Sequence, residues 1–117
     1  MSRRTQRVGE LLQAELADLL LRKAKDPRIR DCAITTVTVT PDLSRARVGI
    51  SALGEETDRL ATIDALKHAK GFLRSQLAHR LRHMKRIPEL HFELDRGAEH
   101  SQNISDLLEG LHHDDRS

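Results

Sequence analysis

The chain is poor in aromatic residues and in cysteine, and each shortage narrows its possible functions. It has no tryptophan, no tyrosine and two phenylalanines. Both Phe72 and Phe92 fall at positions typical of a core, so platforms on which nucleobases could stack are lacking. Cys32 is the single cysteine, which excludes an internal disulfide and favours the cytoplasm, where thiols stay reduced. No signal peptide is expected, because the basic start Ser2-Arg3-Arg4 is followed by an amphipathic segment and not by an apolar block. The longest apolar run, residues 19–21, is too short to span a membrane.

The positive charge of the chain is concentrated in one segment. The 117 residues suffice for one domain with a single layered core. The formal net charge is only +2, yet residues 67–86 contain seven lysines or arginines, three histidines and no carboxylate. Eight carboxylates follow from Glu89 onward. This segment indicates a polyanionic partner. The alternative is a solvated helix face that is basic by chance, although solvated helices usually interleave both signs.

Hydrophobic periodicity predicts an N-terminal helix and then a hairpin. Val8 and a series of leucines recur at spacings of three and four, which predicts an amphipathic helix over residues 5–25. The helix should end before Pro27, because proline disfavours helical geometry at the preceding residue. Val37 and Val39 alternate with threonines over residues 36–40, and this β-branched run predicts a strand. Residues 41–44 predict a turn. A second strand follows, with Ala46, Val48 and Ile50 on its apolar face.

A long helical segment, a third strand and a closing helix complete the pattern. Residues 57–85 are predicted to be helical, with an apolar stripe of Leu60, Ile63, Leu66, Ala69, Leu73, Leu77, Leu81 and Met84. Gly71 interrupts this helix at a cost of about 1 kcal/mol relative to alanine, which indicates a kink or a close backbone contact. Pro88 opens a strand in which Leu90, Phe92 and Leu94 alternate with polar residues. A short helix is expected over residues 104–111.

These elements predict an α+β fold in the order α-β-β-α-(kink)-α-β, plus a short C-terminal helix. Helices should cover one face of a three-stranded sheet. Because a helical crossover joins the third strand to the hairpin, parallel pairing with one hairpin strand is expected. Residues 1–111 are expected to form one domain, and residues 112–117 a polar tail.

An ordered set of motifs resembles the ribosome-binding factor A family. The motifs are Arg7-Val8 with the leucine stripe, KDPR at residues 25–28, Val37 with DLSRARV at 42–48, AKGFLR at 69–74, PELHF at 88–92, and the closing segment 104–108. Each motif alone is weak. Together, in order over residues 3 to about 108, they make the resemblance specific.

The resemblance implies a KH type II-like fold and a non-catalytic function on the ribosome. KH domains ordinarily clamp a single-stranded backbone with a Gly-x-x-Gly loop, whereas this chain has Ala69-Lys70-Gly71, similar to the family's Ala-x-Gly kink. One flexible glycine is lost, so a rigid basic surface that recognises rRNA shape is expected instead. The family acts in the cytoplasm, binds the free small subunit near the 5′ region of 16S rRNA, and supports precursor 16S rRNA processing and growth in the cold. Neither a cofactor nor a membrane is implied, and a monomer is expected. Assembly GTPases are further partners that the sequence leaves open.

Basic residues supply the predicted RNA-binding surface. On an ideal helix at about 100° per residue, Lys67 and Arg74 lie about 20° apart, and Lys85 returns to the same arc. The planar guanidinium group of arginine also favours the binding of phosphate. The predicted RNA-binding residues are Arg3, Arg4, Arg7, Lys67, Lys70, Arg74, Arg80, Arg82, Lys85 and Arg86, with Ala69, Lys70 and Gly71 as the kink motif.

An enzyme is the first alternative, and no catalytic or metal-binding residue is predicted. His79 and His83 have metal-ligand spacing, but the glutamate of an HExxH motif is missing. Asp64 and His68 fit a surface contact one helical turn apart. The serines have no nucleophile context, and Cys32 is expected to serve packing.

Two binding modules remain as further alternatives. The helical pair around Gly71 could belong to a DNA-binding regulator, but the turn of a helix-turn-helix is missing and the apolar spacing continues almost through it. A module that binds only proteins is the other alternative.

Overall fold

The computed structural model describes residues 2–22 and 25–97. Within these ranges the elements are α1 (Arg3–Arg22), α2 (Pro27–Arg30), β1 (Ala33–Val39), β2 (Arg45–Ser51), α3 (Glu56–His68), α4 (Lys70–Arg80) and β3 (Glu89–Leu94). The α+β class and element order are confirmed, and the single turn α2 is an addition. The expected helix at 104–111 and the tail lie outside the described residues, so the domain limits stay a prediction. No helix in the described ranges is long and apolar enough to cross a membrane.

The three strands form one mixed sheet in the order β1-β2-β3. The hairpin strands β1 and β2 pair antiparallel, with a bulge between Ile34 and Thr36. The parallel pairing expected from the crossover is confirmed, with β2 as the partner of β3. Alternate residues of β2 and β3 are buried, while the residues between them face solvent, apart from buried Gly49. One sheet face is therefore covered by helices and the other is open.

A single apolar core joins the helices to the covered face of the sheet. Leu12, Leu16 and Leu19 of α1 are fully buried, together with Leu66 of α3 and Leu77 of α4. These leucines form the stripe that the spacing predicted. Ser2 caps the N-terminus of α1, since its hydroxyl accepts a hydrogen bond from the Thr5 amide at 3.2 Å.

The first helix approaches β1 closely enough to exclude a side chain. A Cβ at Gly9 would lie 2.7 Å from the carbonyl oxygen of Val37. One turn further along α1, Gln13 Nε2 donates to the carbonyl oxygens of Ile34 and Thr35 at 3.4 and 3.5 Å. These carbonyls belong to the bulge, where ladder pairing is interrupted. Gly9 therefore permits the contact, and Gln13 supplies a side-chain donor to the backbone carbonyls at the bulge.

The predicted long helix differs from the structure in three respects. It breaks at Ala69, whose backbone has φ −85° and ψ 0°, and α4 ends at Arg80 rather than near Lys85. Two residues expected in the core are instead half-exposed: Leu60 at 49% and Phe72 at 47%. Leu60 precedes the break and lies near the start of α3, and Phe72 lies outside the buried stripe of Leu66, Leu73 and Leu77, so neither side chain reaches the core.

Candidate nucleic-acid interface

The basic residues that follow α4 lie on a loop held by apolar anchors. Leu81 and Ile87 are buried, and Met84 packs partly buried against the core. The exposed side chains between these anchors are Arg82, His83, Lys85 and Arg86; residues 82–86 are called the basic loop below. Because the helix has already ended, the projection that placed Lys85 on one arc with Lys67 was wrong. The anchors instead direct two pairs of side chains outward, Arg82 with His83 and Lys85 with Arg86.

The basic loop meets the N-terminal end of α1 across a cleft. This cleft, called the basic cleft, has a volume of about 420 Å³. Its lining residues are Arg4, Val8, Asp42, Leu43, His83, Met84, Lys85 and Arg86. Arg4 from the start of α1 thus shares one site with Lys85 and Arg86 of the basic loop, although these cations are far apart in the sequence. Arg3 and Arg7 lie on the same first turns of α1 and are exposed, but they do not line the cleft.

The hairpin turn supplies one wall of the basic cleft. Asp42 Oδ1 accepts hydrogen bonds from the hydroxyls of Ser44 and Thr40, both at 2.7 Å, and from the Ser44 amide at 3.1 Å. The Ser44 hydroxyl first, and then the Thr40 hydroxyl, lower the pKa of Asp42 to about 2. These bonds hold a turn in which Leu43 has a positive φ of 61°, a conformation that few side chains other than Asn and Asp adopt readily. Sequence reasoning identified this turn but not its place in the site.

A second group of cations surrounds the junction of α3 and α4. Lys70 Nζ lies 3.4 Å from Glu89 Oε1, and Arg74 Nη2 donates to the Ile87 carbonyl at 3.2 Å. The hydrogen bond from Lys70 is the main reason that the pKa of the Glu89 carboxyl is lowered. Lys67 is exposed on the last turn of α3. The contact of Arg74 with Ile87, the residue that directly follows the basic loop, places this group next to the end of that loop.

Arg80 has a structural partner that the sequence did not reveal. Its guanidinium contacts Glu15 at 3.2 Å and Asp18 at 2.6 Å, and the Arg80 side chain is 23% exposed. Arg80, followed by Arg22, lowers the pKa of the Asp18 carboxyl. The charge of Arg80 is therefore compensated by α1. We leave it out of the proposed RNA-binding surface for this reason.

Gly71 lies on an open part of the helix junction. Of the two expected reasons for this glycine, the kink is present at Ala69, whereas a close backbone contact is not, since a Cβ built at Gly71 would meet nothing within 4 Å among the described residues. Its φ also lies outside the left-handed range that favours glycine. The cost of a glycine within a helix is thus not offset by packing or by a special conformation. The glycine keeps the surface beside Lys70 clear.

The geometry around Cys32, Asp64 and His68 supports structural roles for these side chains. Burial raises the pKa of the Cys32 thiol to about 11, and its Sγ donates to the Ile29 carbonyl, so the thiol is protonated at neutral pH. Asp64 and His68 form a surface contact of 3.5 Å. Among residues 2–22 and 25–97, no three His, Cys, Asp or Glu side chains are grouped as metal ligands would be.

Comparison with known proteins identifies close relatives of the whole chain. The family model described as Ribosome-binding factor A matches residues 4–108. Ribosome-binding factor A of Staphylococcus carnosus (strain TM300) is 44% identical over 112 residues, which is 96% of each chain. A crystal structure of ribosome-binding factor A from Thermus thermophilus is 29% identical, with a TM-score of 0.66, over 77% of this chain and 94% of that one.

A second solved structure comes from a ribosomal complex. It is a homology model of the Thermus thermophilus ribosome binding factor A fitted into a cryo-EM map of a 30S complex with that factor. Its identity to this chain is 30% and its TM-score 0.63, over 76% of this chain and 92% of that one.

Proposed function

The chain belongs to the ribosome-binding factor A family, whose members are non-enzymatic assembly factors, and from this premise we propose that it binds the free small (30S) ribosomal subunit through 16S rRNA. The observation that carries the proposal is the basic cleft, in which Arg4 meets Lys85 and Arg86 across an apolar floor. Arginine and lysine heads spaced around a cleft suit the phosphates of a folded RNA. The related Thermus factor was itself fitted into a map of a 30S complex.

We infer that the two basic regions act together on the subunit. In this proposal the basic cleft and the group at the helix junction contact separate parts of the RNA backbone. The contacting residues are Arg3, Arg4, Arg7, Lys67, Lys70, Arg74, Arg82, Lys85 and Arg86. Lys70 and Arg74 also position the start of β3, so part of their effect on binding is indirect. The protein acts as a monomer in the cytoplasm and contacts the 5′ region of 16S rRNA. Binding supports processing of precursor 16S rRNA, most strongly in the cold, and an assembly GTPase is a candidate for releasing the factor.

A DNA-binding regulator gains little support from the geometry. The helices α3 and α4 are separated by Ala69 alone, whereas a helix-turn-helix requires a turn of about three or four residues. The basic cleft also lies beyond the end of α4, not along an exposed recognition helix. These features argue against a recognition helix seated in one groove.

Sedimentation of a cell lysate through a sucrose gradient tests the proposed function. Tagged protein should comigrate with free small subunits and their precursors, and not with translating ribosomes. Cells that lack the protein should accumulate precursor 16S rRNA, most clearly at low temperature. If the tagged protein stays at the top of the gradient even at low salt, the proposed function is wrong.

A further inference from the structure

Phe72 provides an exposed aromatic ring at the helix junction. The chain contains two phenylalanines and no tryptophan or tyrosine. Phe92 is 5% exposed in the core, whereas Phe72 is 47% exposed. The expectation that the chain lacks a stacking platform was therefore wrong for Phe72. An exposed ring on a nucleic-acid-binding surface can stack on any base, because every base has a π face.

The ring of Phe72 lines a cavity between α2 and the helix junction. This cavity, called the Phe72 pocket, measures about 450 Å³ and is lined by Lys25, Asp26, Ile29, Ala65, His68 and Phe72 among others. Its volume falls within the roughly 300–1,000 Å³ typical of small-molecule sites. The buried side chains of Ile29 and Ala65 make an apolar floor. The pocket therefore has room for a flat group beside the ring.

The charges around the Phe72 pocket favour a group that belongs to a polyanion. Lys25 lines the pocket, and Lys67 and Lys70 flank the junction in sequence. The one carboxylate in the lining, Asp26, already accepts hydrogen bonds from the Arg28 amide at 2.9 Å and from the Arg28 guanidinium at 2.8 Å. Lys70 is itself 3.4 Å from Glu89, so the exposed side chains of Lys25 and Lys67 supply most of the positive charge beside the pocket. An apolar side chain of a protein would gain nothing from these cations, whereas a nucleotide would.

Two further features of the pocket suit a nucleotide. His68 Nδ1 lies 2.8 Å from the Asp64 carbonyl, which can only accept, so in the neutral ring Nδ1 carries the proton and Nε2 can accept from an exocyclic amino group. Within the described part of the chain the surface at Gly71 is open, with nothing within 4 Å of a Cβ built there. A sugar–phosphate backbone can therefore pass close beside Phe72.

We propose that the Phe72 pocket receives one unpaired nucleobase of RNA, stacked on Phe72, with the adjoining phosphates near Lys25, Lys67 and Lys70. This inference rests on the proposed function and specifies one contact within it: the RNA is that of the small subunit. The binding mode combines backbone contacts in the basic cleft with a single stacked base at the junction.

The first arm of the test removes the ring but keeps the apolar volume. Phe72→Leu should lower the affinity for free small subunits roughly 5- to 100-fold, the range expected for loss of one base stack. The melting temperature should not change, because the ring is half-exposed. The dependence of affinity on salt should also stay the same, since no phosphate contact is lost. Leu60→Ala, a truncation of an equally exposed side chain on α3, is the control and should leave affinity unchanged.

The second arm detects stacking directly. Phe72→Trp gives the chain its single tryptophan, whose fluorescence should be quenched by single-stranded ten-nucleotide oligo(A) or oligo(C). A duplex of the same length should have little effect. Leu60→Trp is the matched control and should not respond to either RNA. Phe72→Trp should bind free subunits about as well as the parent protein.

The outcomes separate this inference from the proposed function. If the parent protein binds free subunits and Phe72→Leu binds equally well, the pocket is not used and the inference is overturned. If Phe72→Leu loses affinity but the Phe72→Trp variant is not quenched by any RNA, the occupant is a ribosomal protein side chain, which also overturns it. Failure of the parent protein to bind subunits would instead refute the proposed function.

Discussion

The guanidinium of Arg80 lies 2.6 Å from a carboxylate oxygen of Asp18 and joins α4 to α1. A cation within the most basic segment of the chain is therefore part of the scaffold. Arg80 also contacts Glu15, so its removal would leave two carboxylates without their shared partner. This distinction between scaffold and interface cations gives the first prediction.

Arg80→Gln should lower the melting temperature but leave subunit affinity nearly unchanged at temperatures well below melting. Arg80 is the largest cause of the lowered pKa of Asp18, whose ordinary value is 3.8. A carboxyl with a lowered folded-state pKa contributes stability that is fully present above its unfolded value and is lost as the pH falls through the folded value. The difference in melting temperature between parent and variant should thus be full at pH 7 and shrink below about pH 4. A difference independent of pH would argue against the ion pair.

Replacing Gly9 of α1 and Gly71 of α4 by alanine should change the free energy of unfolding in opposite directions. Gly9→Ala places a Cβ 2.7 Å from the Val37 carbonyl oxygen, and because that oxygen belongs to the backbone, α1 must shift. The free energy of unfolding should fall by about 1–3 kcal/mol, as for overpacking. Gly71→Ala meets open space and should raise it by about 0.5–1 kcal/mol. Urea denaturation of both variants measures the two effects. A Gly9→Ala variant as stable as the parent, or more stable, would contradict the packing described for α1.

A large side chain at Gly71 should weaken binding without weakening the fold. Gly71→Leu projects from an open surface at the helix junction, where we propose that the RNA backbone passes. Affinity for free small subunits should fall, while the melting temperature should stay the same or rise. Titration of labelled protein with subunits, together with a thermal melt, measures both. Unchanged affinity would show that the RNA does not approach this surface.

Local patterns in the sequence were sufficient for the elements, but not for the site. The leucine spacing of α1, the alternation in the hairpin and the Pro88 strand each report local periodicity, and the structure confirms them. The exposure of Phe72 was missed although a local signal existed, because Phe72 lies outside the apolar stripe of Leu73 and Leu77, which is buried as predicted. The pairing of Arg80 with Asp18 and the meeting of Arg4 with Lys85 depend on how distant segments pack. The apolar anchors Leu81 and Ile87 are the one signal in the sequence that could have marked the basic loop.

Salt should weaken subunit binding with a slope that reflects phosphate contacts. If about five of the nine proposed cations contact phosphates at the same time, the slope of log affinity against log salt should be roughly −3 to −5. Lys85→Gln with Arg86→Gln should make this slope less steep by about 1.5–2 units. Arg80→Gln is the control and should leave the slope as it is. A flat response of the parent protein between about 50 and 200 mM salt, a range over which phosphate contacts lose much of their affinity, would mean that the cations are not the binding surface.

The most direct measurement compares one charge reversal at the two ends of α1. Arg4 lines the basic cleft, whereas Arg22 lies about 27 Å further along the helix, where it pairs with Asp18. Arg4→Glu and Arg22→Glu make the same change of charge on the same helix, and because Arg22→Glu also removes the ion pair with Asp18, a thermal melt checks that both variants are folded before the titration. In titrations with purified free small subunits, Arg4→Glu should lower the affinity on the order of tenfold, and Arg22→Glu should bind as the parent does. Equal affinities for the two variants, whether both are weakened or neither is, would contradict an interface at the basic cleft.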